Sequence, residues 1–215
     1  IFGIPGVHNI EMYRGIEEAG IRHILTRHEQ GAGFMADGYA RASGRPGVAY
    51  VITGPGLTNI LTPMGQAYSD SVPMLVISSC LDPTDVGQAK GKLHEMRDQE
   101  GAAATVCDWS KTAHDAAGTY HLIDRALMEF RTGRARPKHI QVPIGVLGAM
   151  ARGFAEAEPV LRQSHAVPDV SEVARLLMQA RRPLFIFGGG ARWTGEAVQR
   201  ILGQSGAASF TTYAG

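Results

Sequence analysis

The residues able to do chemistry cluster in three short stretches, each following an apolar run and leading into a helical pattern. These are Pro5-Gly6, Arg27-His28-Glu29 and Thr53-Gly54-Pro55-Gly56-Leu57-Thr58-Asn59. Glu29 opens a pattern in which Ala32, Ala36 and Ala40 recur every fourth residue, with Gly31, Gly33 and Gly38 between them. That spacing puts the alanines on one helix face. Glycine in a helix interior costs about 0.5–1 kcal/mol relative to alanine, so a helix this poor in bulk should gain from close approach to a second helix or a flat ligand. A carboxylate at its start is placed to exchange a proton where water is scarce. As a plain first-turn acid it would favour the helix dipole by about 0.3–1 kcal/mol and need no other task. The Gly-Pro-Gly turn lets a ligand approach backbone, and the next helix start exposes amides. Read blandly, it is only a tight turn.

The elements that must position these residues alternate along the chain. Ile1–Gly3, Arg22–Thr26, Val48–Thr53, Met74–Ser79 and His139–Val142 read as strands. His8–Ala19, Glu29 to about Ser43, Leu57 to about Ser71 and Thr119–Arg131 read as helices, the first with Asn9 as a possible cap. Alternation of this kind predicts right-handed βαβ crossovers and a parallel sheet. A polar stretch from Asp82 to Asp98 interrupts it, and loops of that length are more often functional than idle. The domain expected over 1–152 is followed by a linker over 153–168. A second α/β domain then opens over 169–215, with a helix from Val170, a strand Leu184–Phe187, a helix from Thr194 and a strand Ala208–Thr212, and is incomplete.

Composition narrows the partners. The chain has 215 residues, 44% hydrophobic and 19% charged, with 21 Lys+Arg against 20 Asp+Glu. A net charge of +1 gives no electrostatic case for nucleic acid or a membrane surface. No apolar run approaches the roughly 18 residues of a membrane span. Cys80 and Cys107 lack metal spacing, so no metal ligand is expected, and two thiols suit the reducing cytoplasm.

Five motifs in order carry a family resemblance: Phe2-Gly-Ile-Pro-Gly6, Arg27-His-Glu-Gln-Gly-Ala32, Ala36-Asp-Gly-Tyr-Ala-Arg41, Thr53-Gly-Pro-Gly-Leu-Thr-Asn59 and Tyr68-Ser-Asp-Ser-Val-Pro-Met74. Together they resemble the N-terminal pyrimidine-binding domain of thiamine diphosphate-dependent enzymes, in the acetolactate synthase and 2-oxo acid decarboxylase branch. Arg182-Pro-Leu-Phe-Ile-Phe-Gly-Gly-Gly190 is similar to the start of that family's central domain. The resemblance implies a three-layer α/β domain, thiamine diphosphate as cofactor and a 2-oxo acid as substrate. It implies that Glu29 hydrogen-bonds N1′ of the aminopyrimidine, with Pro5, Gly6, Thr53, Gly54 and Asn59 on the loops that bind the ring. It further implies a dimer or tetramer in which the Ala32/Ala36/Ala40 stripe lies against another subunit.

Acetolactate synthases carry a Phe-Gln-Glu element where this chain has Leu93-His94-Glu95, within Lys90-Gly-Lys-Leu-His-Glu-Met-Arg-Asp-Gln99. That departure resembles the guanidino-oxopentanoate decarboxylase type and makes His94 a candidate proton relay, since imidazole titrates near neutrality. An ordinary loop histidine is the plain alternative. The family's magnesium and diphosphate segment, from Gly-Asp-Gly to Asn-Asn, does not occur in these residues, so the expectation is an amino-terminal part that is inactive alone. A non-catalytic interaction module is the alternative, against which Glu29 argues. Gly188-Gly-Gly190 matches a dinucleotide fingerprint only weakly, because Trp193 falls at the third glycine position. FAD binding is left open.

Overall fold

The computed structural model describes residues 1–151 and 168–213. The chain divides into two compact units, Ile1–Arg162 and Gln163–Gly215. The linker expected over 153–168 falls almost wholly outside the described residues.

The first unit is built on a six-stranded sheet. Its strands are β1 (Phe2–Gly3), β2 (Ile24–Leu25), β3 (Gly47–Val51), β4 (Met74–Cys80), β5 (Trp109–Thr112) and β6 (Lys138–Pro143), in the spatial order β2-β1-β3-β4-β6-β5. Every described pairing in it is parallel. Strand side chains alternate between two cores. Ala49, Val51, Met74 and Val76 pack with helices α2 (Glu29–Ser43) and α3 (Pro55–Asp70), whereas Leu75, Ile77, Ile140 and Val142 pack with Ala126 of α5 (Ala116–Thr132). Both faces of the sheet are therefore covered, which is why β4 is buried along its whole length.

The alanine stripe lies inside this chain. Ala32 and Ala36 are 0% exposed and Ala40 is 3%, all within the core shared with α3. A side chain on Gly33 would run into Pro63 and Ile60 of α3, and one on Gly47 would strike the backbone of Ala36. The small residues thus let α2 settle onto α3 and β3, and the expected inter-subunit contact through the stripe is corrected. A four-residue repeat identifies a close-packed face but not its partner. The outward face of α2 carries bulk instead, in Phe34, Met35 and Tyr39. Arg41 of α2 bridges Asp37 at 2.6 Å and Asp70 of α3 at 2.7 Å, holding the two helices together at their far ends. Pro63 stands inside α3, where it has no N–H to donate to the carbonyl one turn back, that of Asn59.

Other expectations are adjusted. The helix expected over 8–19 is the short α1 (Glu11–Arg14), ended at Gly15, and Asn9 is not its cap. Asn9 Oδ1 accepts the Gly6 amide at 2.6 Å and its Nδ2 donates to the Ile4 carbonyl at 3.2 Å, so the side chain staples the Pro5-Gly6 turn. Helix α4 (Gln99–Ala104), β5 and the single turn α6 (Ile144–Leu147) were not anticipated.

In the second unit, α7 (Ser171–Gln179) precedes β7 (Leu184–Phe187), α8 (Gly195–Ser205) and β8 (Ala208–Thr211), with β7 and β8 pairing in parallel from Leu184 against Ala208 to Phe187 against Thr211. Gly188–Gly190 runs into a 3-10 turn, and the helix starts only at Gly195, so these glycines do not open a helix as a dinucleotide fingerprint requires. No helix among the described residues is long and apolar enough to cross a membrane.

Candidate active site

Strand order places the site. The chain steps from β1 to β2 on one side and to β3 on the other, and in parallel sheets ligands settle in the crevice where the order reverses, at the carboxyl ends. Pro5-Gly6 leaves β1 there and Thr53-Gly54 leaves β3. Both loops close on one side chain: a Cβ on Gly6 would stand 2.6 Å from Ile52 Cδ1, and one on Gly56 2.7 Å from Ile52 Cγ2. Larger residues at either position would push the loops apart.

Glu29 sits in the first turn of α2, which His28 caps by accepting the Gln30 amide on Nδ1 at 3.1 Å. Its Oε2 accepts a hydrogen bond from Asn59 Nδ2 at 2.9 Å across the α2–α3 contact. Its Oε1 bonds to none of the described residues and lies 3.5 Å from where a Cβ on Gly56 would stand. The carboxylate is therefore fixed by one oxygen and open at the other, beside a position without a side chain.

Gly54 adopts φ +64°, a left-handed conformation suited to glycine, and a Cβ there would press on the His94 carbonyl. Its amide donates to Gln99 Oε1 at 2.8 Å. Gln99 Nε2 in turn reaches the Ser79 carbonyl at 2.8 Å and Gln141 Oε1 at 3.1 Å. Thr53 is buried, with its amide donating to Ser79 Oγ at 3.0 Å and its hydroxyl 2.9 Å from the same oxygen. Thr53 thus braces the loop from within. Gln99 was missed in the sequence; its one local signal is Asp98, which caps α4 by accepting the Gly101 amide.

The polar stretch before α4 is a bonded loop. The Glu95 carboxylate accepts the amides of Lys90, Gly91 and Lys92 at 3.2, 2.8 and 3.1 Å. Lys90 Nζ reaches the Thr84 carbonyl at 2.7 Å and Asp85 at 3.0 Å. His94 is held over Gly54 with φ +61°, a conformation that costs a non-glycine residue about 1–2 kcal/mol. Its ring meets that of His8 edge-on, with centroids 5.4 Å apart. His8 was also missed, although it stands two residues beyond Gly6.

Behind the loops runs a buried polar chain. His139 Nε2 is 2.8 Å from Ser78 Oγ and its Nδ1 2.7 Å from Ser110 Oγ. Complete burial pushes the imidazole pKa down to about 3, so the ring is neutral at physiological pH. A folded-state pKa below the unfolded one gives stability that is full above the unfolded value of about 6.5 and is lost as pH falls toward 3, by about 1.4 kcal/mol per pH unit. Urea unfolding at pH 7 and 5.5 should differ by about 1 kcal/mol from this residue, and His139→Gln should flatten the difference. Burial with nearby Asp82 and Glu100 raises the Cys80 thiol to about 12, leaving it unreactive. A cleft at the opposite, amino-terminal end of β5 and β6 is lined by Asp108, Glu129, Arg134 and Lys138. There Lys138 pairs with both carboxylates, at 3.1 and 3.4 Å.

Comparison with known proteins decides the assignment of this frame. Residues 1–102 match the family described as thiamine pyrophosphate enzyme, N-terminal TPP binding domain. This stretch belongs to that family. The TPP-binding domain match takes in the loops after β1 and β3, Glu29, Asn59, His94 and Gln99, while Ser110, His139 and Gln141 lie beyond it. The chain is 49% identical over 218 aligned positions to the probable 2-ketoarginine decarboxylase AruI of Pseudomonas aeruginosa, covering 100% of this chain and 39% of that protein. It is 33% identical over 202 positions to the acetolactate synthase large subunit of Lactococcus lactis, covering 91% of this chain and 35% of the relative. Against the mitochondrial acetolactate synthase catalytic subunit of Saccharomyces cerevisiae the figures are 29% over 203 positions, 88% and 29%. The chain thus spans well under half the length of these relatives.

Proposed function

We propose that this chain supplies the pyrimidine-facing half of a thiamine diphosphate-dependent site that decarboxylates a 2-oxo acid, with 2-ketoarginine as the substrate of choice. The observation that carries the reading is Glu29, anchored through Oε2 by Asn59 and open at Oε1 beside Gly56. An open carboxylate oxygen on the edge where the Pro5-Gly6 and Thr53-Gly54 loops leave the sheet fits a flat, nitrogen-bearing ring.

In this reading Glu29 holds a proton at the pyrimidine ring nitrogen and Asn59 keeps the carboxylate turned toward it. Pro5, Gly6 and Gly54 pack on the ring, while Thr53 and Gln99 hold the Gly54 loop at its depth. His94 stands over that loop toward the substrate. The bound cofactor supplies the electron sink for loss of carbon dioxide. Magnesium and the diphosphate are assigned to no residue of this chain. A homo-oligomer, dimer or tetramer, joined through the outward Phe34, Met35 and Tyr39 of α2, and a cytoplasmic setting complete the proposal.

Acetolactate synthesis is the second reading. Leu93-His94-Glu95 and the higher identity to the decarboxylase relative favour the first. The test is carbon dioxide release from 2-ketoarginine and from pyruvate, with thiamine diphosphate and magnesium, by this chain alone and by a protein joining it to a diphosphate-binding segment. The joined protein should turn over 2-ketoarginine faster than pyruvate and make no acetolactate. Turnover by the chain alone would overturn the half-site reading.

A further inference from the structure

His8 and His94 form a pair that the proposed reaction has not absorbed, apart from the general placing of His94. The rings meet edge to face at 5.4 Å and 67°. Nδ1 of each ring is buried and without a hydrogen-bond partner. Neither Nε2 bonds to a described residue, and neither is among the buried polar atoms left unpaired, so Nε2 is the nitrogen open to solvent.

Burial of one nitrogen selects a tautomer. A charged imidazolium carries protons on both nitrogens, and each Nδ1–H here would be a buried donor with no acceptor, a loss of about 1–3 kcal/mol. A neutral ring with its proton on Nδ1 has the same defect. Only the neutral Nε2–H form leaves no buried donor unpaired. Among the described residues no carboxylate is hydrogen-bonded or ion-paired to either ring. Asp85 is taken by Lys90 and Lys92, at 3.0 and 3.5 Å, and Glu95 by three backbone amides. Asp98 caps α4, Glu29 bonds to Asn59, and Glu11 on the His8 side pairs with Arg14. Burial, followed by the proximity of His94, lowers the His8 pKa in the same sense.

We propose that His8 joins His94 as a second ligand-facing residue, and that both act as neutral Nε2–H donors to the oxygen atoms of a 2-oxo acid rather than as a proton relay. The inference rests on the proposed function for its ligand, but not for its tautomer. Two neutral donors hold a carbonyl or carboxylate oxygen without adding a cation to the site.

The test begins with this chain labelled with 15N-histidine, in long-range 1H–15N spectra from pH 5 to 8, using H8Q and H94Q to assign the two rings. Both should be neutral with the proton on Nε2 at pH 7. A proton on Nδ1, or a charged ring at that pH, would overturn the proposal. In the joined, cofactor-loaded protein, H8L should raise KM for the 2-oxo acid about two- to tenfold, and H8Q, whose amide also donates, should restore it. Equal KM for wild type and H8L, or equal loss in H8L and H8Q, would overturn the donor role. Absence of turnover in wild type as well would sink the proposed function and leave the tautomer result standing.

Discussion

Glu29→Gln should lower decarboxylation by about 10²–10⁴-fold, the usual contribution of a positioned acid or base, with little change in folding stability. The carboxamide oxygen can still accept from Asn59 Nδ2, so the contact across α2 and α3 that the carboxylate makes at 2.9 Å is kept. The lost element is the second oxygen, which in glutamine becomes an NH2 group and cannot take a proton from a ring nitrogen. The measurement is kcat for the joined protein beside a urea midpoint for the chain. A loss smaller than tenfold would remove Glu29 from the chemistry. A midpoint shift of more than about 1.5 kcal/mol, the upper range for one neutral hydrogen bond, would show that its main task is structural.

Ala36→Leu should destabilise the chain by about 3 kcal/mol, the upper end of what overpacking a filled core costs. Ala36 has no exposed surface, and its backbone already occupies the space a side chain on Gly47 would need. The added atoms can be placed only by prising α2 away from β3. Equilibrium unfolding at two protein concentrations separates the alternatives: loss of stability that is independent of concentration follows from packing within one chain. An unchanged unfolding midpoint with weakened self-association would reinstate the stripe as an inter-subunit surface.

The parts of the fold with strong periodic or continuous patterns were legible in the sequence. Met74–Ser79 and Leu184–Phe187 are apolar runs bounded by turns, and both are strands. The Gly-Pro-Gly turn marks the start of α3 because proline suits the first helical turn, and α3 begins at Pro55. Elements lacking such patterns escaped. Trp109-Ser-Lys-Thr is a short edge strand of mixed polarity, and Gln99–Ala104 is too short and too rich in alanine to show a helical period. The site divides in the same way. Glu29 and Asn59 stand in motifs with recognisable spacing, whereas Gln99 reaches Gly54 from far along the chain and His8 meets His94 only once the sheet has formed. Side-chain partners of that separation leave no local trace.

Pro63 bears on how the site responds to an arriving ring. With no donor at Pro63, the helix has a missing rung directly below Asn59, and a helix bends most readily at such a gap. Glu29 stands on the capped, wedged end of α2, while Asn59 stands beside that compliant point of α3. The 2.9 Å bond between them therefore joins a stiff mounting to a soft one. In the proposed reading, adjustment on binding is expected at Asn59, with the carboxylate keeping its position.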